Sequence, residues 1–162
     1  MSLQLEKLFS MQRKLDGRIA EEHDLKGDLI AERTLALQVE LGELANETRC
    51  FKFWSLKSSS PREVILEEYV DGVHFILSLG LSYGYEQIKP ETIQKEGSLV
   101  QQFQTVYDTI SALRKYPTKE TYLNLFNEYL TLGNLLGFNE REIQEAYEEK
   151  NKVNHTRQDT GY

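Results

Sequence analysis

Glu40-Leu-Gly-Glu43 and Glu68-Tyr-Val-Asp71 are the two stretches of sequence that decide the fold of this chain. Within each stretch two acids have i,i+3 spacing, so both side chains project from one face of a helix. Two such helices packed face to face would bring four carboxylates into one small volume. Carboxylates that close together must be protonated, fully solvated or bound to cations, and oxygen ligands suit hard cations such as Mg²⁺.

The neighbours of the four acids favour a metal site over two solvated acidic faces. At about 100° per residue, the side-chain directions of Glu68 and Asp71 fall within an arc of Val64, Ile65, Gly72, Phe75 and Leu79. The other pair lies at the edge of a stripe formed by Leu37, Leu41, Leu44 and Thr48. A buried unpaired carboxylate is costly, so acids on a core-facing stripe need a partner. Solvated acids stay an alternative, because 26 of the 162 residues are Asp or Glu.

The composition is that of an ordinary globular protein, and it excludes several classes of function. We expect a single domain over residues 1–162, since hydrophobic residues make up 40% of the chain and charged residues 28%. The net charge of −7 and the lack of a basic cluster argue against a nucleic-acid partner. No apolar run approaches the about 18 residues of a membrane span. A single cysteine, Cys50, is compatible with a reducing cytoplasm.

Helical periodicity dominates the chain between its three prolines, and no segment alternates with the period of a strand. Asn139 with Glu142 three residues later is typical of a capped helix start, and Gly137 of a helix end. The sequence therefore predicts an all-α bundle. Its expected helices span residues 3–22, 28–53, 62–82, 98–115, 118–136 and 139–157.

Several polar residues occur where a core or an ordinary surface is expected. Gln12 and Asp16 fall at the centre of the apolar stripe of the first helix, where an amide needs hydrogen-bond partners. They would either read a planar ligand edge or form a buried network that fixes helix register. On the last helix, Lys150, Asn154 and Arg157 share one face. That face suits phosphate oxygens, although cations are also favoured near any helix C-terminus.

The segment Phe51-Lys-Phe-Trp54 is expected to close the second helix. Aromatic residues in such a position are most often core, but Trp54 is the single tryptophan and its indole N–H needs an acceptor. His74 follows Asp71 by three residues. A local hydrogen-bonding role is favoured for it over metal ligation, because hard cations seldom take imidazole ligands.

Taken together, these motifs resemble those of the dimeric dUTPases, within the all-α NTP pyrophosphatase superfamily that includes MazG-like enzymes. Besides the two acid pairs, the resemblance covers four signatures, which span nearly the whole chain apart from about residues 85–140. They are Met11-Gln12…Leu15-Asp16, Phe51-Lys-Phe-Trp-Ser55, Asp71-Gly-Val-His-Phe-Ile-Leu-Ser78 and Lys150-Asn-x-x-Asn154-x-x-Arg157-Gln-x-x-Gly161-Tyr162. One position departs from the family, since Asp16 stands where the family usually has Asn.

The resemblance implies hydrolysis of dUTP, and of dUDP, to dUMP with release of pyrophosphate or phosphate. More than one Mg²⁺ (or Mn²⁺) would be held by Glu40, Glu43, Glu68 and Asp71, and Glu43, with Glu40, would orient or deprotonate the attacking water. Lys150, Asn154 and Arg157 would bind phosphate oxygens, and Tyr162 would close over the site from a flexible tail of about 157–162. Gln12 and Trp54 would contact uracil, and Phe75 would crowd a 2′-hydroxyl. The remaining substrate-binding residues, placed by the signatures that contain them, are Asp16, Lys52 and His74.

The resemblance also implies a homodimer with a nucleotide as its small-molecule partner. A separate argument for a dimer is a set of apolar residues that one small bundle would not fully cover: Tyr122, Leu125, Phe126, Tyr129 and Leu136. Two alternatives stay open. One is a dNTP or dCTP pyrophosphatase of broader specificity, and the other is a non-catalytic helical interaction module.

Overall fold

The computed structural model describes residues 3–161, and these residues form α-helices without any β-strand. The predicted all-α class is therefore confirmed. The helices are α1 (Leu5–Glu22), α2 (Ile30–Thr48), α3 (Arg62–Tyr83), α4 (Leu99–Lys115), α5 (Lys119–Leu135) and α6 (Glu140–Asp159). Within residues 3–161, no helix is both long enough and apolar enough to span a membrane.

Local sequence signals explain most of the helix ends. The Asn139 side chain accepts a hydrogen bond from the Glu142 N–H, and the Glu142 carboxylate accepts one from the Asn139 N–H, as the predicted capping box requires. Gly137 has a left-handed backbone (φ +88°) just after α5, which confirms it as a stop. At the other end of α6 the helix continues through Asp159, so the first residues of the predicted flexible tail are helical. Tyr162, the proposed lid, lies outside the described residues.

The second helix is shorter than predicted. It ends at Thr48, because Arg49 adopts a left-handed conformation (φ +58°) and its N–H donates back to the Ala45 carbonyl. The Arg49 side chain then donates to the Ser55 hydroxyl and to the Lys57 carbonyl, which holds the following residues as a loop. The prediction that Phe51–Trp54 closes α2 is therefore wrong, and these aromatics lie in the loop between α2 and α3.

Helix α3 lies at the centre of the bundle and packs against α1, α2, α5 and α6. Its contact with α5 is a reciprocal lock of two buried tyrosines. The rings of Tyr69 and Tyr129 are stacked 4.6 Å apart, and each hydroxyl donates to the backbone carbonyl of the other, at 2.8 Å and 2.6 Å. Gly72 and Gly133 make room for the lock, since a Cβ at either would overlap the facing tyrosine hydroxyl. This contact fixes α3, and with it the acids that α3 carries.

Apolar residues of α5 that the sequence suggested would be incompletely covered are buried within the bundle. Tyr122, Leu125, Phe126 and Tyr129 are fully buried within one chain and Leu136 is half-buried, so they give no independent argument for a dimer. Several of the large exposed apolar side chains lie instead on α2 and on the loop after it, although others, such as Tyr116, lie elsewhere. Those on α2 and its loop include Leu35 and Val39, which are 61% and 50% exposed, and Phe53, Trp54 and Leu56.

Candidate active site

Three of the four predicted acids converge where α2 packs against α3. One carboxylate oxygen from each of Glu40, Glu68 and Asp71 lies within 4.8 Å of the other two. Glu43, one turn further along α2, is exposed and is not part of this set of three. Its charge still reaches the cluster, because it is among the causes that raise the pKa of Glu40 and of Glu68.

The cluster is electrostatically unfavourable without a counter-charge. Burial, followed by the charges of Asp71 and Glu43, raises the pKa of Glu40 to about 8. Burial and neighbouring acids raise the pKa of Glu68 to about 7. In addition, the buried Oε2 atoms of Glu40 and Glu68 have no hydrogen-bond partner among residues 3–161. These two carboxyl groups are therefore desolvated and mutually repulsive, and each has one buried oxygen without a partner among the described residues.

These properties fit a divalent metal ion. The donor atoms are all carboxylate oxygens, which Mg²⁺ and Mn²⁺ prefer. A cation would neutralise the repulsion, and it would give the two orphaned oxygens a partner that residues 3–161 do not provide. Glu40, Glu68 and Asp71 are the residues that the structure brings together for this purpose.

A buried lysine borders the acids from α6. The Lys150 ammonium donates to Glu67 Oε1 at 2.9 Å and lies 3.2 Å from Asp71 Oδ1, and only 9% of the residue is exposed. Although burial opposes it, the ion pairs with Glu67 and Asp71 raise the pKa of Lys150. Asn154 and Arg157 follow on the same face of α6, and both are half-buried. The predicted row of three donors thus begins directly beside an acid of the cluster.

Gln12 is buried (3% exposed) at the junction of α1, α3 and α6, and its amide is engaged at both ends. Its Oε1 lies 2.7 Å from His74 Nδ1 and 2.8 Å from the Tyr147 hydroxyl. Its Nε2 donates to Asp16 Oδ1 at 2.8 Å and to Ser78 Oγ at 3.1 Å. The structure therefore contains the buried polar network that was the alternative to base reading. Direct contact of Gln12 with uracil stays a prediction, and it would require one of these bonds to be exchanged.

The local hydrogen-bonding role predicted for His74 is confirmed by its bond to Gln12. The imidazole is also stacked on the Tyr147 ring, with the centroids 4.2 Å apart. Burial, followed by the nearby Lys150 charge, lowers the pKa of His74 to about 3, so the ring is neutral at physiological pH. Phe75, the next residue of α3, is half-buried.

The aromatic loop between α2 and α3 is strongly exposed. Phe53 and Trp54 are 93% and 65% exposed, and their rings meet edge to face at 5.1 Å. Trp54 also meets Phe51 edge to face, and the Lys52 ammonium lies 5.8 Å from the Phe51 ring centroid. Trp54 and Lys52 thus project from a surface loop rather than from the buried network around Gln12.

Sequence reasoning missed three residues that hold the predicted ones in place. Ser78 and Tyr147 complete the network around Gln12, and Glu67 pairs with Lys150. Helical spacing held a signal for two of them, since Ser78 is four residues after His74 and Tyr147 is three before Lys150. Nothing in the sequence distinguished Glu67 from the other acids of α3.

The chain was also compared with known proteins. A search of curated proteins found no match. A family model described as dUTPase matches residues 4–162 and therefore covers the acid cluster, the network around Gln12 and all of α6. The chain belongs to the dimeric all-α dUTPase family and is a dUTP diphosphatase.

Proposed function

We propose that this chain hydrolyses dUTP, and also dUDP, to dUMP, using divalent cations held between α2 and α3. The observation that carries the proposal is the convergence of Glu40, Glu68 and Asp71 with two orphaned buried oxygens. More than one Mg²⁺ is proposed, with Mn²⁺ as a substitute, and Glu43 would join the three clustered acids as a ligand from the adjacent turn. Bound cations would neutralise phosphate oxygens and acidify the attacking water.

Glu43 is our first choice for the group that accepts a proton from the attacking water. Its carboxylate is exposed, so it can contact water as well as a bound cation. Glu40 is the second choice, because it lies one turn before Glu43 on α2. Either residue would also orient the water for in-line attack.

Lys150, Asn154 and Arg157 are proposed to bind phosphate oxygens. Lys150 is already held beside Asp71, so its charge would meet the phosphate chain at the edge of the acid cluster. The two following side chains continue the donor surface along α6, and Arg157 offers a planar fork that matches phosphate geometry. Tyr162 would close over the bound nucleotide from the C-terminal end and exclude water.

The base and the sugar are proposed to lie near the buried network. Phe75 would crowd a 2′-hydroxyl, and Gln12, Asp16 and His74 would surround the base. Trp54 and Lys52 would approach from the exposed loop. These assignments complete the substrate-binding set.

We also propose a homodimer and a cytoplasmic location. The exposed apolar residues on α2 and on the following loop, such as Leu35 and Trp54, support burial against a second copy. The single cysteine, Cys50, is free, which suits a reducing compartment.

The test is to incubate the protein with each common dNTP and NTP, with Mg²⁺ or with EDTA, and to resolve the products. We expect Mg²⁺-dependent formation of dUMP from dUTP and dUDP, with UTP and dCTP nearly untouched. Equal turnover of several nucleotides would instead support a pyrophosphatase of broader specificity. No turnover by folded protein would contradict the proposal and leave a non-catalytic helical module.

A further inference from the structure

Among the described residues, two buried nitrogen atoms in and beside the network around Gln12 have no hydrogen-bond partner: His74 Nε2 and Asn151 Nδ2. Gln12, Asp16, Ser78 and Tyr147 all have their side-chain oxygen or nitrogen atoms engaged in hydrogen bonds. His74 Nε2 is the exception, because it is buried and has no hydrogen-bond partner among residues 3–161. A buried polar atom without a partner costs stability, so its position calls for an explanation.

The orientation of the Gln12 amide follows from Asp16. Burial raises the pKa of Asp16, but its hydrogen bonds with Ser78 and Gln12 oppose that rise and favour the ionised form. An ionised carboxylate can only accept hydrogen bonds, so the amide end that faces Asp16 Oδ1 is the NH₂ group. Ser78 agrees with this direction, since its hydroxyl donates to Asp16 Oδ2 and its oxygen accepts from Gln12 Nε2. The opposite end of the amide is therefore the carbonyl oxygen, Oε1.

The tautomer of His74 follows in turn from Gln12. Oε1 is an acceptor, so His74 Nδ1, at 2.7 Å, must carry the proton and donate it. Burial keeps the ring uncharged by lowering the pKa of His74, and a neutral imidazole has one proton only. Nε2 is therefore a bare acceptor, and stacking on Tyr147 holds the ring in place.

We propose that His74 Nε2 accepts a hydrogen bond from a donor group of the bound nucleotide, and that Asp16 and Gln12 are positioning residues that set this tautomer. This inference rests on the proposed function, because it assumes that the nucleotide binds against α3 beside the acid cluster. The donor is either the uracil N3–H or the deoxyribose 3′-hydroxyl. If it is N3–H, the same atom rejects cytosine, whose N3 is itself an acceptor.

The first test needs no ligand. The chain has three histidines, so ¹⁵N-histidine labelling gives three sets of ring resonances. We expect His74 to be protonated at Nδ1 with an unprotonated Nε2. His155 is an internal control of opposite tautomer, since Arg18 donates to its Nδ1. A proton on His74 Nε2 would overturn the proposal.

Asp16→Asn replaces a carboxylate that can only accept hydrogen bonds with an amide that can also donate them. We therefore expect this variant to convert the single His74 tautomer into a mixture while His155 is unchanged.

The second test identifies the donor. Titration with dUMP should shift the His74 Nε2 resonance in the direction of a hydrogen-bonded acceptor. The shift should disappear with 3-methyl-dUMP if the base supplies the donor, and with 2′,3′-dideoxyuridine monophosphate if the sugar does. Saturable binding of dUMP without any change at Nε2 would overturn the proposal.

Kinetics separate this inference from the proposed function. His74→Leu should raise KM for dUTP by about tenfold and change kcat by less than about threefold, because the acceptor contacts substrate away from the reacting phosphate. An equal fall in kcat and kcat/KM with unchanged KM would contradict it. If wild-type protein fails to hydrolyse dUTP at all, the proposed function fails, whereas the ligand-free tautomer still decides whether Asp16 and Gln12 position His74.

Discussion

The two faces of α3 carry neighbouring residues with opposite hydrogen-bonding states. Towards α5, Tyr69 and Tyr129 satisfy each other completely, and Gly72 lets the helices approach. Towards α2 and α6, Glu68 and His74 each leave a buried atom without a partner in the described part of the chain. Tyr69 and Glu68 are adjacent in sequence, so one helix presents two kinds of face. On the finished face, towards α5, the two tyrosines satisfy each other's hydrogen bonds, and on the unfinished face, towards α2 and α6, some buried polar atoms of the described residues are unpaired.

The difference indicates what each face does. Reciprocal hydrogen bonds between buried groups stabilise a unique packing, and they leave no capacity to bind anything else. Orphaned and mutually repelling groups lower stability, and they are retained where a ligand supplies the missing partner. We expect substitutions on the face of α3 towards α5 to lower the stability of the fold. We expect substitutions of the unpartnered acids on the opposite face to lower activity and to raise the stability of the metal-free protein.

The sharpest test is Glu68→Gln, which removes one charge and one oxygen ligand from the unfinished face. We expect kcat/KM for dUTP to fall by more than about a hundredfold. Loss of a residue that only supports a metal ligand costs up to about a hundredfold, and loss of a ligand itself should cost more. In EDTA at pH 8, however, Tm should rise by about 2–4 °C, because a repulsive buried charge is gone. Glu63→Gln, at the exposed start of α3, is the matched control and should change neither quantity. A lower Tm in Glu68→Gln would contradict the proposed strain in the cluster.

The finished face is tested by Gly72→Ala. A Cβ there would overlap the Tyr129 hydroxyl, so the tyrosine lock must open or α3 must shift. We expect a loss of about 1–3 kcal/mol in the free energy of unfolding, the usual cost of overpacking a core. The control is Gly17→Ala in α1, where, apart from the adjoining residues of the helix, no atom of residues 3–161 lies within 4 Å of the new Cβ and alanine favours the helix. Urea unfolding should therefore give opposite signs for the two variants.

The pH dependence of the metal-free protein gives a smaller effect. The folded-state pKa values of Glu40 and Glu68, about 8 and about 7, lie above their ordinary value of 4.5. Their protons bind more tightly in the folded state, so this contribution to stability is complete below pH 4.5 and is lost as pH rises through 7 and 8. We expect Tm in EDTA to fall by a few degrees between pH 5.5 and 8.5, and Mg²⁺ to abolish the fall. A Tm that rises over this interval in EDTA would contradict it.

Much of this architecture could be predicted from the sequence, because local signals determine it. The helical periodicity gave the all-α class, the Asn139 capping box marked the start of α6, and i,i+3 spacing placed Glu68 and Asp71 on one face. The end of α2 could not be predicted, because it depends on the left-handed backbone of Arg49. Residues other than glycine rarely adopt this conformation, so the sequence gives little indication of it.

The long-range partners of individual side chains also could not be predicted from the sequence. Gln12 was correctly expected on a buried stripe, but its partners His74 and Tyr147 come from positions 62 and 135 residues away. The burial of the α5 tyrosines was missed for a similar reason, since it depends on glycines of α3 that face them. Long-range pairing is a property of packing, and a single sequence carries little information about it.

The smallest expected effect comes from Tyr147→Phe, which tests whether the network around Gln12 supports only folding or also nucleotide binding. The variant keeps the ring that stacks on His74 and removes the hydroxyl that donates to Gln12 Oε1. Because His74 Nδ1 still donates to that oxygen, no buried acceptor is orphaned, and we expect a loss of about 1 kcal/mol or less. Tyr107→Phe, which removes a hydroxyl donating to the Gln38 carbonyl, is the matched control for stability. If the network only supports folding, the two variants should have equal KM for dUTP. If it holds His74 for the nucleotide, Tyr147→Phe alone should raise KM, by about threefold.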